Sequence, residues 1–258
     1  MGGGIGAELA NWIVDGEPHI DLGEVDPRRF GAYANKVFTG VKNKEAFGHN
    51  FGIHYPGYEW PAGRPAKTAP CYDRLTREGA VWGAVYGWEI PLWFAPKGEE
   101  ARDVWSYRTF NSMPHVGVEC RAVREGVGLY EMTPMSKFEV WGSGAETWLN
   151  QILANRMPSK IGGIVLAHLL TNKGSVRCEF TVTRLGASHF YLIGTPRGER
   201  HDFDVLQKAL PADGSVQLTN ATFERGGFTV VGPKARQLLE NLVDGDLTND
   251  AFPWMSAQ

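Results

Sequence analysis

Cysteine is scarce in this 258-residue chain, and what there is lies scattered. Cys71, Cys120 and Cys178 are odd in number and form no C-x-x-C or Cys/His cluster. A disulfide framework and a structural zinc site are therefore not expected, and a reducing, cytoplasmic compartment is the default. The seven histidines show no H-E-x-x-H or other metal-ligand spacing, so no metal is expected either. Neither charge dominates: 26 Lys and Arg against 29 Asp and Glu leave a net charge of −3, which gives no reason to expect a nucleic-acid or anionic-membrane partner. No apolar run approaches the roughly 20 residues that cross a bilayer. The N-terminus has no basic n-region and carries Glu8 and Asp15, unlike a secretory signal. A P-loop and a G-x-S-x-G elbow are also missing. The opening glycines of "GGGIG" follow no strand, which leaves a dinucleotide reading of them weak.

What is present is an ordinary globular balance, 43% apolar and 21% charged, in a length that suits one large domain or two smaller ones. Residues 1–15 read as a glycine-rich turn feeding a helix, with Leu9, Trp12 and Ile13 on one face and Gly16 at the C-cap. Between Asp26 and Pro96 glycine, proline and aromatics are dense, with helical pieces near 28–46 and 70–78. This texture suits a small intermediate domain packed by aromatic burial over irregular backbone. Trp88 and Trp93 read as core or interface mass, or as the border of a flat cofactor. Arg64 reads as half of a structural ion pair in preference to an anion contact. "KGEEARD" (97–103) is a solvated boundary.

Beyond it the pattern becomes regular α+β: a helix near 113–125, strands near 136–141, 162–171, 175–185 and 189–195, a helix at 200–210, then strands near 215–222 and 227–231. A repeat lies inside it. "FEVWGSGAETWLNQIL" (138–153) and "FTVVGPKARQLLENLV" (228–243) match without a gap at Phe138/Phe228, Val140/Val230, Gly142/Gly232, Ala145/Ala235, Leu149/Leu239 and Ile152/Leu242. Each copy reads as a strand, a glycine turn and an amphipathic helix. Ser143 with Glu146 fits a capping box, and Pro233 the first helical turn of the second copy. Internal duplication predicts pseudo-twofold halves with a crevice between them.

"GSVRCEFTVTR" (174–184) alternates: Val176, Cys178, Phe180 and Val182 on one face, Arg177, Glu179, Thr181 and Thr183 on the other. That is a strand with one buried face. The second face either meets water or lines a cavity in which Glu179 serves a ligand.

The stretches "GGGIGAELANWIVDGEPHIDLGEVDPRRF", "FGIHYPGYEWPAGRPAKTAPCYDRLTREGAVWGAVYGWEIPLWFAP" and "GVGLYEMTPMSKFEVWGSGAETWLNQILANRMP" together resemble the dimethylglycine/sarcosine dehydrogenase family, in order and spacing along essentially the whole chain. The resemblance implies three segments: residues 1–26 as the tail of an FAD-binding oxidoreductase domain, 27–103 as the intermediate domain, and 104–258 as the first half of a pseudo-symmetric folate domain similar to the glycine-cleavage T-protein. It implies FAD and tetrahydrofolate as cofactors of the intact protein, and a small N-methylated amino acid as substrate, oxidatively demethylated with the one-carbon unit passed to folate. By the same resemblance Glu179 is the catalytic carboxylate beside the reactive folate nitrogen, where Asp is usual. Met135 is an apolar pterin contact, Thr181 and Thr183 share the Glu179 face, and Gly3, Gly4 and Gly6 touch the flavin edge. Both ends of the chain read as interior to a longer protein, so the segment alone is expected to hold no FAD and to bind folate weakly. The alternatives are a stand-alone folate-dependent aminomethyltransferase and a non-catalytic binding module of the same fold.

Overall fold

A computed structural model describes residues 2–20, 22, 23 and 25–258. Helix α1 (Gly2–Asp15) ends at Gly16, whose φ of 82° suits the C-terminal cap. It starts at once, so Gly3, Gly4 and Gly6 are helical residues and not a turn. A 3₁₀ turn (Pro27–Phe30) follows, then α2 (Lys36–His49), whose first turn is capped by the Asn35 side chain. After α3 (Tyr72–Arg77) comes a hairpin, β1 (Ala80–Val85) and β2 (Trp88–Phe94). Its two-residue turn, Tyr86-Gly87, has positive φ at both positions (48° and 84°), as a type I′ connection requires. A bulge at Val81/Trp82 admits Pro91 to β2. The sequence had suggested only irregular backbone here. Gly83 and Pro91 break the alternation, and Tyr-Gly is a weaker turn signal than Asn-Gly.

The rest comprises α4 (Met113–Glu125), β3 (Gly128–Glu131), β4 (Ser136–Trp141), α5 (Ala145–Ile152), β5 (Ile164–Leu170), β6 (Val176–Gly186), β7 (His189–Gly194), α6 (Glu199–Lys208), β8 (Gln217–Asn220), β9 (Phe228–Val231) and α7 (Ala235–Leu239). The main sheet is antiparallel, in the order β5-β6-β7-β4-β8, and β3 pairs with β9 apart from it. One face of the main sheet buries Phe138, Val140, Phe180, Val182, Phe190 and Leu192 completely, against Leu149 of α5 and Leu206 of α6. Each such side chain stabilises the fold by about 1.5–3 kcal/mol relative to exposure, so this is where the unit's stability is concentrated.

The repeat is real in the backbone, and its copies are interlocked. Gly142 and Gly232 have φ of 123° and 121°. Beyond them Gly144 N–H donates to Ser215 O, and Lys234 N–H to Gly126 O. The strands just after those acceptors, β8 and β3, are the partners of β4 and β9. Extended backwards, the repeat takes in β3 ahead of β4 and β8 ahead of β9, and these two strands are exchanged, β3 pairing with β9 and β8 with β4. The loops repeat the match. Lys137 N–H donates to Thr222 Oγ1 and Gly227 N–H to Thr133 Oγ1. Ala221 N–H donates to Lys137 O and Met132 N–H to Gly227 O. Thr222 N–H reaches Asn220 Oδ1 and Thr133 N–H reaches Glu131 Oε1.

Two local expectations fail. The Ser143/Glu146 capping box does not form: Gly144 holds the N-cap, and Glu146 instead reaches from α5 to Arg184 of β6 at 2.8 Å. Pro233 is not in the helix it was assigned to, since α7 is short and starts at Ala235.

Candidate functional site

The face of the main sheet opposite the core carries Glu179. Register places it directly across from His168, and the two side chains meet, Nε2 to Oε2 at 2.8 Å. The pair is open to solvent, with side chains 34% and 51% exposed. His168 escaped the sequence reading, although it was within reach. The strands "IVLAHLL" and "VRCEFTV" flank a turn at 171–175, closed by Thr171 N–H to Ser175 O, and folding the hairpin about that turn brings 168 to 179. Thr181 and Thr183 continue along the same face, opposite Leu166 and Ile164 on one side and Ile193 and Tyr191 on the other. Thr183 is buried and Thr181 half-buried. Further across the sheet, Glu139 is shared between His189 Nε2, at 3.1 Å, and Arg225, which also caps the Tyr191 ring.

Met135 lies at the same end of the sheet. Lys137 of β4 and Thr181 of β6 both pair with Ile193 of the intervening β7. Both are antiparallel to β7, so two steps back along each stay level and put Met135 beside the Glu179 row. At ordinary strand spacing the two backbones are roughly 10 Å apart. Met135 lines a cavity of about 570 Å³ between the hairpin, α4 and the β3–β9 pair, together with Ile90, Val123, Leu129, Glu131 and Phe228. Glu179 is not among the residues lining it, so the structure sets these two at neighbouring places, not in one cavity.

The cavity is apolar apart from its carboxylates. Glu119 accepts from Phe94 N–H at 3.1 Å. Glu131 accepts from Thr133 N–H through Oε1, while its buried Oε2 has no hydrogen-bond partner. A buried carboxylate oxygen without a donor is costly unless a ligand supplies one. Glu131 was not singled out in the sequence, where it reads as a plain strand residue. Beneath it, Lys137 is buried and its Nζ donates to the carbonyls of Thr133 and Met135, both at 2.7 Å. Burial pushes its ammonium below the usual lysine range.

Gly3, Gly4 and Gly6 are brought to neither place. They sit on exposed turns of α1, with open space where side chains would be. Arg64 is the structural ion pair expected of it, two-pronged to the buried Glu89 at 2.9 and 2.6 Å. Trp93 and Trp88 are both buried, Trp88 stacked on Phe223. Among the described residues no group of three or more His, Cys, Asp or Glu is placed to hold a metal ion, and no helix is long and apolar enough to cross a membrane.

Compared with known proteins, residues 15–69 match the model of the FAD dependent oxidoreductase central domain, and residues 71–258 that of the GCVT N-terminal domain. The mitochondrial dimethylglycine dehydrogenase of Mus musculus is 34% identical over 257 residues, 99% of this chain and 30% of its own length. The mitochondrial pyruvate dehydrogenase phosphatase regulatory subunit of Mus musculus is 29% identical over 259 residues, 98% of this chain and 30% of its own. The chain thus spans under a third of the length of these relatives. The crystal structure of the glycine cleavage system aminomethyltransferase T from Bartonella henselae superposes with a TM-score of 0.58 at 25% identity, covering 70% of this chain and 45% of that one. The interlocked sheets, the Glu179 face and the Met135 cavity all lie within the longer match, and the chain belongs to the GCVT N-terminal domain family.

Proposed function

We propose that this chain is part of an FAD- and tetrahydrofolate-dependent oxidative N-demethylase acting on a small N-methylated amino acid of the dimethylglycine or sarcosine type, and that its GCVT unit receives the one-carbon product. The observation that carries the reading is the tandem of an oxidoreductase central domain and a GCVT domain, collinear with a dimethylglycine dehydrogenase over 99% of the chain.

The residues present fit the folate and not the flavin. Gly3, Gly4 and Gly6 lie in the opening turns of α1 with open space beside them, so no wall faces them to form a flavin pocket. For the folate, the Met135 cavity is largely apolar and lined by Glu131, whose unpartnered Oε2 is an acceptor suited to the N–H edge of a pterin. Bound tetrahydrofolate supplies a secondary amine able to take up a carbon at the aldehyde oxidation level. The half-buried Ile90, Val123, Met132 and Met135 shield it from water, which matters because an iminium carbon otherwise hydrolyses. Glu179 lies outside that cavity, two strands from Met135, so it takes up the released proton only from an amine that projects out of the cavity towards β6, where His168 Nε2 orients the carboxylate. Glutamate reaches one methylene further than the aspartate usual there, and the His168 bond restrains that extra length.

The test uses the longer, FAD-bearing protein of which the reading makes this chain a part, with dimethylglycine and an artificial electron acceptor, with and without tetrahydrofolate. Acceptor reduction should survive Glu179→Ala, while methylene-folate formation falls about a hundredfold and free formaldehyde rises in its place. Absence of substrate-dependent acceptor reduction in the unaltered protein, or an unchanged product ratio in the variant, would overturn the reading. The second reading, a binding module without chemistry, is favoured by the similarity to a regulatory subunit over 98% of the chain; it expects folate binding with no turnover.

A further inference from the structure

A second cavity, of about 310 Å³, lies where the N-terminal segment, the hairpin, α6 and the loop after β8 meet. Its centre is Lys67. The backbone there is clamped along the hairpin, Lys67 N–H to Gly87 O at 2.8 Å and Glu89 N–H to Lys67 O at 2.9 Å, so the side chain is launched from a fixed point. Three rings surround its ammonium: Tyr33, Trp88 and Phe223, with centroids 4.7, 5.4 and 5.6 Å from Nζ. Glu199 is 3.6 Å away and itself buried, and Arg200 completes the charged lining. The Trp88 indole N–H, in the same wall, is buried without a partner.

We propose that this cavity is a carbonyl-capture site, in which Lys67 condenses with a small aldehyde, formaldehyde or its two-carbon analogues, to a protonated Schiff base whose counterion is Glu199. The proton of Lys67 passes to Glu199. The Nζ lone pair then attacks the carbonyl carbon, forming the C–N bond as the C=O π bond opens, and the alkoxide takes the proton back from Glu199. Glu199 next takes a proton from the nitrogen of the resulting carbinolammonium and delivers it to the hydroxyl, which departs as water and leaves NH⁺=CH₂ beside the Glu199 carboxylate. Amine and aldehyde thus become iminium and water, with no oxidant or reductant needed.

The surroundings suit each stage. Burial holds Lys67 below the ordinary lysine range, against the opposing pull of Glu199, which raises the fraction of reactive free amine. The iminium that forms is again a cation, larger and softer than ammonium, and three π faces with one carboxylate are complementary to it. Lys137 provides the contrast: it is buried as well, but its Nζ is engaged by two backbone carbonyls.

The identity of the aldehyde rests on the demethylation reading, since that chemistry yields a carbon at the formaldehyde level; the site itself does not. The full chain is treated with substoichiometric formaldehyde and cyanoborohydride near neutral pH, and methylation of each lysine is followed by peptide mass spectrometry. Lys67 should be modified about tenfold faster than the exposed Lys208. Glu199→Gln leaves more of the amine free but removes the proton carrier and counterion that iminium formation needs, so it should remove that advantage without changing Lys208, and urea should abolish it in the unaltered protein. Modification of Lys67 no faster than Lys208, or of Lys137 as fast as Lys67, would overturn the proposal, as would an unaffected Glu199→Gln variant. Formaldehyde is added directly, so the outcome stands whether or not the protein demethylates anything. A parallel arm in the longer, FAD-bearing protein, generating the aldehyde from dimethylglycine, fails alone if only that reading is wrong.

Discussion

Replacing Gly142 by alanine tests the glycine that turns β4 into α5. Its φ of 123° lies outside the left-handed well that even asparagine tolerates, and a side chain there costs about 1–3 kcal/mol in backbone strain alone. The added Cβ would also run into backbone, pressed on the Ser215 carbonyl oxygen, with the carbonyl carbon at 3.1 Å. That carbonyl cannot retreat freely, because it accepts the Gly144 N–H at 3.1 Å and fixes the end of β8 against β4. Strain and displaced strand together should cost at least about 3 kcal/mol, a large share of the 5–15 kcal/mol of a typical domain. Gly174→Ala is the control: φ is also positive, at 79°, but a Cβ there meets open space, so about 1 kcal/mol is expected. Gly232→Ala, the repeat counterpart, meets the Gly126 carbonyl and Val123 O at 2.8 Å. Among the described residues β9 pairs only with β3, so that variant can find relief by local opening of the small sheet. Urea unfolding followed by circular dichroism should therefore rank the losses Gly142, then Gly232, then Gly174. With m near 2 kcal/mol/M, the Gly142 midpoint should fall by more than about 1 M. A Gly142 variant no less stable than the Gly174 variant would refute the reasoning.

Removing the interlocking hydroxyls should cost about 1–3 kcal/mol each, because Thr222→Val leaves the Lys137 N–H unpaired in the core and Thr133→Val does the same to Gly227 N–H. Serine at either position should restore most of the loss in a thermal melt, and a serine variant as weak as valine would mean the methyl contact matters instead. Arg64→Met strands the buried carboxylate of Glu89 and should cost about 3–5 kcal/mol by urea titration, whereas the double variant with Glu89→Gln should recover much of it. For Asp26, burial pushes the carboxyl up, but the side-chain and backbone hydrogen bonds of Arg28 outweigh it, and the net direction is down from 3.8. A carboxyl lowered in the folded state stabilises above its unfolded value and loses that contribution as pH falls through it. Asp26→Asn should thus lower stability at neutral pH and narrow the gap between urea midpoints at pH 7 and pH 3; an unchanged gap would show the Arg28 pair to be energetically silent.

The two surfaces of β6 show how far pattern reading reaches. Alternation alone assigns Phe180 and Val182 inward and Glu179 outward, and the burial follows it. The matched glycines likewise pointed to the repeat, because a φ near 120° excludes other residues and so marks the same turn twice. What the pattern could not carry is pairing between distant segments. The exchange of β3 and β8 between the copies is a matter of tertiary pairing, closed at its ends by hydrogen bonds to the Thr133 and Thr222 hydroxyls, residues with nothing unusual in their local context. The β1–β2 hairpin was hidden by Gly83 and Pro91, and the Glu146 carboxylate was drawn from its expected cap by Arg184, 38 positions further on. Glu131 and Lys67 acquire their chemical interest only from what surrounds them, an orphaned oxygen in one case and three rings in the other.

The interlock has a consequence for the candidate site. The turn that carries Met135 starts at the end of β3 and finishes at the start of β4. β3 is hydrogen-bonded in the small sheet and β4 in the large one, so this turn spans the two. Thr133, inside it, is tied to Gly227 just ahead of β9, and Lys137, at its end, to Thr222 just after β8. Both crossing bonds therefore fall within four residues of Met135, which places the cavity floor where the copies exchange strands. A shift of one sheet against the other would alter the Met135–Glu179 spacing directly, since Met135 follows both sheets and Glu179 only the large one. The two threonine hydroxyls, one from each copy, pin the two ends of that turn each to its own sheet, alongside the backbone bonds Met132 N–H to Gly227 O and Ala221 N–H to Lys137 O.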